Sequence, residues 1–185
     1  MEDIELKYGK LINKAKEYMT SINDYEHDIN HMYDVVKYTY DLLNMVKIEV
    51  NKEVCILSAY WHDVGRIKCQ EGHEKLSAEM LKEELEKEGY DSDFIKSCYA
   101  AIENHKWNMT PKTNEGLLLR DADKLAWLGK GRWKSCLENR QDLDSIIGLL
   151  PKLKSDILYF DESKQIYDRE IVNLTSFLYG YIKND

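Results

Sequence analysis

His62 and Asp63 stand side by side at the end of an apolar run, Val54, Ile56, Leu57, Ala59, Tyr60 and Trp61, whose spacing suits a buried helix. Gly65 follows two residues later and easily leaves helical geometry, which places the pair at a helix C-terminus. Two polar groups at the end of a buried helix need partners, and a metal ion is one source of them. Four more residues offer the same chemistry. His31, His73 and His105 fall on expected helices or near their ends, and Asp123 is a carboxylate inside the otherwise apolar stretch ending at Leu125. Helical bundles build internal metal sites from His and Asp ligands scattered over several helices. Imidazole with carboxylate suits iron, manganese, nickel, cobalt or zinc, and the residues do not choose among them. A single histidine is more often packed or solvated than ligating, and His73 and His105 also read as helix caps. The set carries the reading; no member of it does alone.

The elements that must position this set are helical. Ile4, Tyr8, Leu11, Ile12, Ala15 and Met19 follow one helical stripe, and the stretch 21–24 breaks it. A second helix is expected from about Asp28 to Val46, with Met32, Val35, Val36, Thr39, Leu42 and Leu43 inward, and a third over 53–63. After a polar connection over 66–72, helices are expected over 73–87, with Gly89 as its stop, over 91–105, and over 115–128. Gly129 and Gly131 read as a break. The remainder, 133–182, reads as two helices interrupted near Asp161 to Ser163. No period-2 alternation and no long repeat occurs. The expectation is an all-α, single-domain helical bundle covering residues 1–185.

Composition sets outer bounds. The chain is 43% hydrophobic and 32% charged, within the range of globular proteins, and only two prolines and nine glycines interrupt it. A net charge of -8 argues against a nucleic-acid polymer as partner, since phosphate backbones require a basic face. A small phosphate-bearing substrate is compatible, because a bound metal dominates its local field. Cys55, Cys69, Cys98 and Cys136 form no CxxC pair and read as reduced packing residues. An acidic N-terminus and the lack of any stretch near the ~20 apolar residues of a membrane span lead to the expectation of a cytoplasmic protein.

The order of the candidate ligands resembles the HD-domain metal-dependent phosphohydrolases, whose signature is a His, a later His-Asp pair and a final Asp, all on helices. Here these are His31 in His-Asp-Ile-Asn-His-Met-Tyr-Asp-Val, His62-Asp63 in Trp-His-Asp-Val-Gly, and Asp123 in Asp-Ala-Asp-Lys-Leu. The resemblance runs from about His27 to Gly129. Gly72-His73-Glu74 and Glu103-Asn104-His105 look like the segments carrying two extra histidines in binuclear members, which implies a second ion with Asp63 able to bridge. The His-Asp-x-x-His form at 27–31 also resembles a compact subgroup holding one ion, so one or two ions remain open. The alignment assigns His31 as ligand and leaves His27 behind it.

What the resemblance implies is a metal-dependent phosphohydrolase acting on a nucleotide or other small phosphorylated metabolite. His31, His62, Asp63, His73, His105 and Asp123 would ligate the divalent transition metal. Asp63 would also orient the nucleophile, and Arg66 or Lys106 would meet charge on the phosphoryl oxygens. Arg66 stands where many relatives carry Lys. Lys130, Arg132 and Lys134 read equally as a phosphate pocket or a solvated loop, while Trp61 and Trp127 read as core. Two other readings share the site: an HD-fold di-iron oxygenase, and a metal-containing nucleotide-binding module without turnover.

Overall fold

The structure is a computed structural model and describes residues 2–22, 24, 26–138 and 143–182. Its helices are α1 (Glu2–Lys7), α2 (Gly9–Thr20), α3 (Ile29–Met45), α4 (Lys52–Trp61), α5 (His73–Lys87), α6 (Ser92–Ile102), α7 (Asn114–Leu125), α8 (Lys130–Glu138), α9 (Leu143–Lys152) and α10 (Asp161–Ile182). No strand occurs among the described residues, and none of their helices is long and apolar enough to cross a membrane. The fold is an all-α helical bundle.

Helix α4 is the centre. All eight residues from Val54 to Trp61 are buried, and a helix apolar around its whole circumference must be enclosed by others. Helices α2, α3, α6 and α7 enclose it. Their inward stripes are those the periodicity marks, from Leu11, Ile12 and Ala15 on α2 to Ile95, Cys98 and Ala101 on α6. Helix starts are capped by side chains that satisfy otherwise orphaned N–H groups, each cap worth about 1 kcal/mol. Asp28 accepts from the N–H groups of Asn30 and His31, Asn51 from Glu53 and Val54, and Asp91 from Asp93 and Phe94. The Asp28 cap matters most for function, because it fixes the turn that presents His31.

Four expectations need correction. The first helix is interrupted at the buried Tyr8, although the bonds Tyr8 N–H to Ile4 O and Ile12 N–H to Tyr8 O continue the ladder across it. Helix α6 ends at Ile102, so His105 lies in the turn beyond it. Among the described residues the C-terminal part holds three α-helices, not two: Gly131 lies inside α8, and Asp161 and Glu162 form the acidic first turn of α10, where they suit the helix dipole. The true interruption precedes them, at Leu158 to Phe160. There the buried Asp121 accepts from Tyr159 N–H at 3.0 Å and from Phe160 N–H at 2.9 Å. Beside it the Arg120 guanidinium donates to Ile157 O at 3.1 Å and to Met109 O at 3.3 Å.

Gly65 is the fourth correction. Its φ is not positive, so it is not there for backbone freedom; positive φ occurs at Gly72 and Gly89. Gly65 instead permits close approach. A Cβ there would lie 2.4 Å from His73 O and 2.8 Å from Ser77 N, and Gly65 N–H already donates to Ser77 Oγ at 2.8 Å. The short turn Val64–Ile67 is thereby pressed against the first turn of α5. Cys55 and Cys98 are buried free thiols and Cys69 a partly exposed one, while the side chain of Cys136 lies outside the described residues.

Two substitutions test these joints by urea unfolding. Gly65→Ala should cost near the top of the about 1–3 kcal/mol typical of overpacking, because a backbone must move. Asp121→Ala should cost about 3 kcal/mol, leaving the backbone donors of Tyr159 and Phe160 and the neighbouring Arg120 without their carboxylate. A loss under about 0.5 kcal/mol for either would show that its joint is slack.

Candidate metal centre

Five segments deliver the six candidate ligands to one buried place. His31 comes from the first turn of α3, His62 from the C-terminal cap of α4 and Asp63 from the residue after it. His73 opens α5, His105 lies in the turn after α6, and Asp123 sits in the last turns of α7. All six are at most 5% exposed.

Asp63 is the hub. Its Oδ1 lies 3.0 Å from His73 Nε2 and 3.6 Å from His105 Nε2, while its Oδ2 lies 3.6 Å from His62 Nε2 and 3.8 Å from His31 Nε2. His31 Nε2 is also 3.3 Å from His62 Nε2 and 3.3 Å from Asp123 Oδ1. Two triads of ligand atoms result, His31–His62–Asp63 and Asp63–His73–His105, and they share the one carboxylate.

The opposite edge of three rings identifies which nitrogen is bare. His62 Nδ1 lies 2.9 Å from Ala59 O, His73 Nδ1 2.7 Å from Gln70 O, and His105 Nδ1 2.8 Å from Ile102 O. In each case the partner is the carbonyl three residues earlier, and a carbonyl can only accept. Nδ1 therefore carries the proton, and in the neutral ring Nε2 is left as a lone pair. Burial pushes His62 down to about 3, so that ring is neutral. Burial also acts to raise Asp63 and Asp123, but it is outweighed. The Arg66 guanidinium holds Asp63 well below the ordinary carboxylate range, and the Lys124 ammonium does the same for Asp123. Bare nitrogens thus face ionised oxygens in a dry interior, and Asp63 Oδ1 and His73 Nε2 have no hydrogen-bond partner. Acceptors facing acceptors are unfavourable unless a cation lies among them. This donor set, nitrogen with carboxylate oxygen, fits one or two divalent transition metals.

The cations around the set are mostly engaged. Arg66 Nε lies 2.8 Å from Asp63 Oδ2 and its Nη1 donates to Gln70 Oε1 at 2.6 Å, so it holds the hub carboxylate. Lys106 Nζ is 3.2 Å from both Glu71 and Glu74, which offset its charge. Lys124 pairs with Asp123. Of the Lys130–Lys134 group, Arg132 reaches the centre's edge. It donates to Glu26 O at 3.1 Å and Glu26 Oε2 at 3.0 Å, and its guanidinium lies 4.4 Å from the Trp127 ring. Lys134 is exposed beside Glu138, 3.8 Å away. Trp61 is fully buried, and Trp127 is partly buried against Trp107.

Two participants, Asp24 and Glu74, escaped the sequence reading. Asp24, read only as part of a break, accepts from His27 Nδ1 at 3.0 Å and from the Gln70 amide at 3.4 Å. The His27 ring in turn meets the His31 ring edge-on, with centroids 5.5 Å apart. Glu74 is buried next to His73. The Asp-x-x-His spacing of 24–27 is the one signal that could have found the first of these.

The HD domain family model matches residues 28–128, a span that contains all six candidate ligands. A crystal structure described as a predicted HD superfamily hydrolase, from an uncultured Thermotogales bacterium, aligns over 95% of this chain and 91% of its own. Its TM-score is 0.70 at 20% sequence identity, a likeness of fold. No curated protein matches. With a family match over more than half its length, the chain belongs to the HD-domain family.

Proposed function

We propose that this protein is a metal-dependent phosphohydrolase acting on a nucleotide or another small phosphorylated metabolite. The observation that carries the reading is the shared Asp63, flanked by bare histidine nitrogens on both of its oxygens. The Thermotogales protein of like fold is described as a predicted hydrolase, which agrees with this reading.

His31, His62, Asp123 and Asp63 Oδ2 would hold one ion; His73, His105 and Asp63 Oδ1 would hold a second. Ions held there supply Lewis acidity toward a phosphoryl oxygen and lower the pKa of a water they bind. The protein's share is placement. The Nδ1–carbonyl bonds lock three rings so that their Nε2 lone pairs converge, which lowers the reorganisation needed when the site fills. Arg66 holds the Asp63 carboxylate as an ion pair. With its other guanidinium N–H groups it can also meet a phosphoryl oxygen. Burial excludes bulk water and strengthens each of these interactions.

Phosphate release from a panel of nucleotides and phosphorylated metabolites, with manganese, cobalt, nickel or iron added, tests the reading. Wild type should turn over at least one substrate only with metal, and Asp63→Ala should fall to background and lose its metal. Release by metal-free Asp63→Ala would refute the mechanism. Silence from metal-loaded wild type, together with oxygen consumption by the iron form, would move the assignment to the oxygenase class. Ion counting by mass spectrometry of native protein tests the shared carboxylate. Two ions per chain should fall to one in His73→Ala. A single ion retained in both proteins would restrict the site to the His31–His62–Asp123 half.

A further inference from the structure

His31 is the odd member of the set. His62, His73 and His105 each bond Nδ1 to the carbonyl three residues back, whereas His31 Nδ1 is buried and has no hydrogen-bond partner. The reason is position. His62 and His105 sit at helix ends and His73 follows a loop, and there each ring folds back on the carbonyl three residues earlier. His31 lies in the first turn of α3, and the carbonyl three residues back, Asp28 O, already accepts from Met32 N–H. The ring turns Nε2 toward Asp123 and His62, so Nδ1 is the polar atom it has left.

Beside His31 lies a polar recess of ≈ 20 Å³, walled by Asp28, Asn30, Asp34, Gly131 and Arg132. That is room for one water, which needs about 10–15 Å³ and two or more polar partners. Most of the wall is already engaged. Asp28 takes the N–H groups of Asn30 and His31 and the Asn30 amide, and Arg132 is held by Glu26. Asp34, one helical turn beyond His31, is a largely covered carboxylate with no hydrogen bond or ion pair to any described residue. Its Oδ2 lies 2.2 Å from where a Cβ on Gly129 would stand, so the carboxyl closely approaches that backbone. His31, whose Nδ1 has no hydrogen-bond partner, and the Asp34 carboxylate thus line the same water-sized space.

We propose that Asp34 is a positioning residue that holds His31 through one water in this recess, setting the His31 ring with its proton on Nδ1 and its Nε2 bare. The proposal supplies for His31 what backbone carbonyls supply for the other three rings. It rests on the metal reading only for its effect on affinity; the link itself belongs to the metal-free protein.

The test has two independent readouts on wild type, Asp34→Ala, Asp34→Asn and Gly129→Ala. The first is the His31 tautomer in metal-free protein, by long-range ¹H–¹⁵N NMR on ¹⁵N-histidine-labelled samples. Wild type and Asp34→Asn, which keeps an acceptor, should show the proton on Nδ1. Asp34→Ala should show mixed tautomers, and Gly129→Ala should do the same by displacing the carboxyl. The second is manganese affinity by competition with a chromophoric chelator, where Asp34→Ala should weaken binding roughly 10–100-fold. A wild-type His31 with its proton on Nε2 would overturn the proposal. So would folded Asp34→Ala or Gly129→Ala with an unchanged tautomer, and so would Asp34→Asn behaving like Asp34→Ala. A wild type that binds no manganese but shows the expected tautomers would remove the metal reading and leave the Asp34 link standing.

Discussion

Everything at the heart of this protein follows from electron pairs aimed at one another. Histidine nitrogens stripped of their protons and two ionised carboxyls are gathered within a few ångströms, where water cannot separate them. Such a cluster is repulsive by itself, and the energy that assembles it must come from elsewhere. Here it comes from burial of apolar side chains around α4, whose end carries His62 and Asp63. The same repulsion is what a divalent ion relieves, so binding and folding are thermodynamically coupled. Occupancy should raise the stability of the very segments that meet at Asp63.

A second layer manages the excess of negative charge. Arg66 grips Asp63, Lys124 grips Asp123, and Lys106 is shared by two glutamates. From Arg66 a chain of contacts runs through Gln70 and Asp24 to His27, which abuts His31. Both ends of this chain therefore touch candidate ligands. In a protein with a net charge of -8, few cations are left to attract an anion from a distance. Affinity for a phosphate group must then come mainly from the centre itself and from what remains of Arg66's donor capacity.

The sequence made the ligands legible because their types are rare in apolar helices. His62 and Asp123 interrupt apolar stretches, and nothing but a partner of unusual chemistry excuses them. Helix positions were equally readable, since α2, α3 and α6 bury the stripes their periodicity marks. What escaped was anything depending on close approach between distant segments. Gly65 looked like a helix stop, yet its role is to let a turn lie against His73 O, a contact that periodicity cannot encode. Asp161 to Ser163 looked like a loop because acidic and small residues favour loops; the same residues favour first turns of helices. Which reading held depended on Asp121, 38 residues earlier than Tyr159. Asp24 was invisible for a similar reason: a lone aspartate beside a break carries no mark of the histidine it orients.

Helix α7 shows how far family likeness and structural integrity can diverge. Asp123 faces the candidate ligands, while Asp121 and Arg120 reach to residues 157–160, beyond the end of the family match at 128. Excising the matched span would keep all six candidate ligands and leave the Asp121 carboxylate and part of the Arg120 guanidinium stranded in apolar surroundings. The stretch that makes the protein recognisable is shorter than the stretch that lets it stay folded. In this chain the trailing helices are tied to the matched span through two residues of α7.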